Sequence, residues 1–156
     1  MSDIYIQRLR SVRDELDIAR DIFRFILENW HRQEVANDFR LRTRNKMQEA
    51  EQNLEKTYFV RLTAEFEGIL KDHLRTNHPA VAFPARRRDW TVDRLLSKVL
   101  QQENITLDSV LRQRLDEVRD YRNTIAHGNP AIIPISFSTA LARYTTFLSK
   151  LPEPYK

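Results

Sequence analysis

Apolar residues recur along this chain at intervals of three and four, the period of a helix rather than the alternation of a strand. Over 3–30, Leu9, Val12, Leu16, Ala19, Phe23, Ile26 and Trp30 step by 3, 4, 3, 4, 3 and 4, a sustained seam. Ile18, Ile22 and Phe25 widen it into a face broad enough for a bundle core, a dimer seam, or both. Residues 31–52 form a more polar arm, with Val35, Phe39, Leu41 and Met47 its large apolar positions. The pattern predicts a break near 36–43, with helix resuming by Lys46. A second strong stripe covers 53–75: Phe59, Leu62, Phe66, Ile69 or Leu70, and His73 or Leu74. Gly68 interrupts it, at a cost of about 1 kcal/mol relative to alanine, which suggests a close helix approach.

Pro79 and Pro84 then impose a loop around 77–90. Thr91 is placed to cap a short helix over 92–102, and a turn at 102–106 leads into a long helix over 105–128. Its stripe is Leu107, Leu111, Leu115, Val118 and Ile125, flanked by Val110 and Tyr121. Gly128 and Pro130 mark its end. After an extended apolar segment, Ser136 or Ser138 caps a last helix that buries Leu141, Tyr144, Phe147, Leu148 and Leu151. The expectation is an all-α bundle of about five helices, a single domain over 1–156, organised around 105–128.

Composition narrows the chemistry. The 156 residues suffice for one real core. Cysteine is absent, which removes disulfides, thiolate nucleophiles and zinc–sulfur sites. The net charge of +4 suits a phosphate-bearing partner without requiring one. No apolar run approaches ~20 residues, so no membrane partner is expected. The N-terminus has no apolar signal core, which makes a cytoplasmic setting the expectation. There is no G-x-x-x-x-G-K loop, no H-E-x-x-H and no G-x-S-x-G elbow. His73 and His78 lie five apart across a helix end with no carboxylate pattern around them, so no metal site is assigned there. No cofactor is expected.

Arg122 stands out. It occupies the apolar stripe of the long helix, between Val118 and Ile125, so it must be ion-paired, at an interface, or lining a cleft. Asn123 follows it, and His127 stands where the helix runs out. The plain account is an arginine paired with an acid such as Glu117, and a histidine that favours the helix C-terminus. Five residues at 100° each separate Arg122 from His127 by roughly 140°, so a straight helix does not aim both at one point. The histidine swings at the helix end, or a second copy of the helix completes the site. Two basic groups add phosphate-binding candidates: Arg86, Arg87 and Arg88 in the loop, and Arg40 and Arg44, which share a face of the arm.

The unit R-N-T-I-A-H at the end of a long helix resembles the R-x4-6-H signature of the HEPN superfamily. More loosely, YFVRLTAEFEGILKDHL at 58–74 looks like the second core helix of stand-alone prokaryotic members. The resemblance implies a HEPN-like bundle acting as a homodimer. It implies a metal-independent endoribonuclease of toxin or defence type, with Arg122, Asn123 and His127 at the motif positions. RNA would supply its own 2′-hydroxyl nucleophile and leave 2′,3′-cyclic phosphate ends. The alternative is a non-catalytic helical module that binds a partner protein, such as a nucleotidyltransferase-type antitoxin. A third reading is a nucleic-acid binder that does not cleave.

Overall fold

A computed structural model describes residues 3–29, 37–81, 91–127 and 133–152, with only the backbone described for 37–42. Among the described residues the chain forms five helices and no strand: α1 Asp3–Glu28, α2 Asn37–Asn77, α3 Val92–Gln102, α4 Ser109–His127 and α5 Phe137–Leu148. The all-α bundle expected from the periodicity is present. One hydrophobic core draws on every helix, with Leu9, Phe66, Leu95, Val118 and Tyr144 among its members. No described helix is long and apolar enough to cross a membrane.

The pillar of the bundle is α2, which packs against each of the other four helices. This corrects two expectations. The chain is organised around α2 rather than around 105–128. Over 37–43, the described part of the predicted break, the chain is also helical: one helix runs unbroken for 41 residues. Neither proline nor glycine occurs between Asn37 and Glu67, so nothing covalent interrupts it, and weak amphipathicity alone does not end a helix. Among its described side chains the buried ones lie in the C-terminal half, from Phe59 through Leu62, Phe66, Ile69, Leu70 and His73 to Leu74. Gly68 gives way to Arg8, whose guanidinium bridges Glu65 at 2.6 Å and Asp72 at 2.7 Å on either side of it.

In α1 the seam is buried at Leu9, Val12 and Leu16, together with Tyr5 and Ile6. Farther along, Ile18, Ile22 and Phe25 are exposed. Trp30, the last member of the predicted seam, lies outside the described residues.

Caps set the shorter helices. Thr91 caps α3 and Ser136 caps α5, each side chain accepting from the backbone N–H three residues on. The carboxylate of Glu55, on α2, accepts both the backbone N–H of Phe137 (2.9 Å) and Arg20 of α1 (2.8 Å), which ties three helices at one point. The fourth helix starts later than its stripe predicts. Asp108 accepts the N–H of Leu111 at 2.8 Å, a stronger start signal than the apolar Ile105 and Leu107, which precede the helix and pack on the core.

The end of α3 is a Schellman turn. The N–H of Ile105 bonds the carbonyl of Leu100 (3.0 Å), and that of Asn104 bonds the carbonyl of Gln101 (3.4 Å). Asn104 takes the left-handed conformation this turn requires, with φ 52°. Ile105 and Leu100 both pack against the core beside it.

Candidate functional site

Arg122, Asn123 and His127 occupy the last turns of α4. Leu111, Leu115 and Val118 anchor the preceding turns in the core, which fixes the rotation of the helix. Arg122 is thereby half-buried. Its Nη1 donates to Oδ1 of Asn123 at 3.2 Å, and its Nε is buried with no hydrogen-bond partner among the described residues.

The ion pair suggested for it with Glu117 is not formed. Glu117 instead takes Arg143 of α5 at 2.8 Å and accepts a hydrogen bond from Gln113. Arg119, nearly one turn earlier, is held by Asp93 (2.6 Å), Asp116 (3.2 Å) and Asp120 (2.9 Å). Arg122 has no comparable partner among the described residues.

Its charge is nonetheless felt across the helix junction. Burial raises the pKa of Glu67 on α2, while Lys71 and Arg122 pull it back. Burial likewise pushes the Tyr144 phenol upward, against its hydrogen bond with Thr63 and the charge of Arg122.

His127 is the last residue of α4, exposed, with no hydrogen bond or ion pair among the described residues. It does not reach Arg122 through any bond within one chain, as the roughly 140° between them on an ideal helix leads one to expect. Of the basic candidates, Arg44 is exposed on α2. The side chain of Arg40, and Arg86, Arg87 and Arg88 altogether, lie outside the described residues, as does Gly128.

Two features were not legible from local spacing. One is an open groove of about 820 Å³ between α1 and α5, lined by Arg10, Arg13, Arg20, Ser136, Ser138 and Thr145 among others. It is cationic and rich in hydroxyls, but Arg13 and Arg20 are engaged by Asp17, and Arg20 also by Glu55. It includes none of the motif residues.

The other is a convergence of His73, His78 and Glu103. Nε2 of each histidine lies 2.6 Å from Oε1 of Glu103. A carboxylate therefore does accompany the two histidines. It comes from the end of α3, 25 residues beyond His78, where pattern within a single helix cannot find it. Burial pushes the pKa of His73 down against the pull of Glu103. Burial also opposes the charge on Glu103, but the hydrogen bonds from His78 and His73 prevail and hold its pKa below the ordinary value. One ligand atom from each of the three residues lies within 4.8 Å of the others.

A scan against protein-family models and searches of curated proteins and of solved structures found no match to this chain.

Proposed function

We propose that the chain is a HEPN-like endoribonuclease that works as a homodimer, in the manner of a toxin or defence effector. The observation that carries this reading is the state of Arg122. It is a half-buried arginine whose Nε is desolvated and, among the described residues, unpartnered, and whose guanidinium forms no ion pair with a described carboxylate, while Arg119 nearby is held by three aspartates and Arg143 by Glu117. A buried donor without a partner costs about 1–3 kcal/mol, and an incoming phosphate oxygen would relieve that cost.

The residues present suit RNA cleavage. The 2′-hydroxyl attacks the adjacent phosphorus and loses its proton to a base, and the 5′-oxygen leaves with a proton from an acid. The products are a 2′,3′-cyclic phosphate and a 5′-hydroxyl. His127 serves as the proton carrier, since an imidazole nitrogen can both accept and donate a proton. Arg122 holds the phosphate and offsets the charge that develops on it, with Asn123 orienting the guanidinium through its hydrogen bond. One chain does not converge Arg122 and His127, so a second copy supplies the complement. The exposed stripe Ile18, Ile22 and Phe25 is an apolar surface suited to such a partner. The same stripe equally favours the second reading, a non-catalytic module docked on a protein of antitoxin type.

The deciding assay incubates mixed RNA with the wild type and with His127→Ala in EDTA, with helicity checked by circular dichroism and mass in solution recorded. Cleavage that leaves cyclic-phosphate ends and falls by about 100-fold or more in the variant supports the nuclease. Equal background from both overturns it, and a stable but inactive dimer moves the binding module to first place.

A further inference from the structure

We propose that His73, His78 and Glu103 form a binding site for one divalent transition-metal ion of the zinc class, separate from the α4 terminus. Two imidazole nitrogens and one carboxylate oxygen make a donor set of the kind zinc takes with three protein ligands and one open position. The nitrogens crowd the same oxygen, each at 2.6 Å. Around a tetrahedral zinc with bonds near 2.1 Å, neighbouring donors stand roughly 3.4 Å apart. Each nitrogen–oxygen separation therefore opens by less than about 1 Å to admit the ion, a shift the terminal torsion of a glutamate provides.

The surroundings match what a metal-binding histidine needs. His73 is fully buried, and its ring is fixed from behind: Nδ1 lies 3.1 Å from Nδ2 of Asn77 and 3.4 Å from the hydroxyl of Tyr5. These are the outer partners that set which nitrogen faces the metal. With Nε2 on the ion, the proton moves to Nδ1, where the Tyr5 oxygen is placed to accept it and the Asn77 amide, a donor in its present orientation, turns its oxygen toward the ring. The opposite side is open enough for entry, since the side chains of His78 and Glu103 retain 21% and 11% exposure.

The backbone also presents the ligands. His73 sits in the last turns of α2, His78 just past its end, and Glu103 at the cap of α3, immediately before the left-handed Asn104. An ion here would tie the end of α2 to the end of α3. Its role is to lock the architecture that carries α4, and no step of RNA cleavage passes through it.

The test titrates the chelator-treated full chain with Co²⁺, followed by competition with Zn²⁺, while visible absorption reports tetrahedral coordination and circular dichroism reports the fold. The wild type is expected to bind one ion. His78→Ala, at the open edge, and Glu103→Gln, of equal shape, are expected to weaken binding at least ten-fold while staying helical. Tyr5→Phe, which removes only the outer oxygen, should weaken it by roughly ten-fold. If chelation unfolds the wild type, refolding that requires Zn²⁺ supports the site and refolding without it counts against it. A folded wild type that binds neither ion, or binding that survives both ligand substitutions unchanged, overturns the proposal.

Discussion

The guanidinium of Arg8 lies over Gly68, with Nη2 3.4 Å from the point a Cβ on that glycine would occupy. The near atom is the far end of a flexible side chain, so it can yield by a few tenths of an ångström. Alanine also removes the entropic cost of glycine inside a helix. Gly68→Ala is therefore expected to stabilise the chain by about 0.5–1 kcal/mol in urea denaturation. A loss instead would mean that the Arg8 bridge to Glu65 and Asp72 tolerates no displacement.

Asn104 tests the turn that presents Glu103. Its φ of 52° suits asparagine and glycine and strains other residues. Asn104→Gly should be neutral or slightly stabilising, and Asn104→Ala should cost about 1–2 kcal/mol in the same measurement. Equal effects from the two would mean the left-handed turn is not what holds this segment.

Glu67 gives a pH dependence with a definite sign. Burial raises its pKa in the folded chain above the unfolded value of 4.5, against the pull of Lys71 and Arg122. The folded state therefore holds this proton more tightly. Its contribution to stability is complete below the unfolded value and is lost as pH rises through the raised one. Glu67→Gln should raise the melting temperature at neutral pH, with the gain shrinking as pH falls below the carboxylate range. A gain that stays constant with pH would rule out titration as its origin.

A site completed by a second copy makes a prediction of its own. Arg122→Ala and His127→Ala should each be inactive alone, yet a mixture allowed to exchange subunits should recover part of the RNA cleavage, because the mixed dimer brings one intact arginine to one intact histidine. No recovery, with exchange verified by mass, would place both residues of a working site on one chain.

Much of the fold was legible because caps and apolar stripes are local signals. Thr91, Leu9, Val12, Leu16, Leu111, Leu115 and Val118 take the places their spacing predicts. The two misplaced boundaries have local causes as well. The polar stretch 37–43 was read as part of a break although it contains no helix breaker, and Leu107 drew the start of α4 ahead of its true cap at Asp108. The candidate site divides differently. The position of Arg122 in an apolar stripe marked it out as unusual, but only the packed structure shows that Glu117 is taken by Arg143. The meeting of His73, His78 and Glu103 depends on how α3 returns along α2, a long-range relation that periodicity does not encode.

The length of α2 carries a consequence for motion. Hydrogen bonds are continuous along it, but tertiary support is not: Arg44, Asn45, Lys46, Gln48, Glu49 and Ala50 are exposed, and among the described side chains full burial begins at Phe59. A helical segment without a packed face holds only marginally in water. Amide protons over 43–52 should therefore exchange with solvent by local fraying, while those over 59–74 wait for opening of the whole core. One geometrically uniform helix thus contains two regimes of protection, and the step between them marks where the bundle ends and the arm begins.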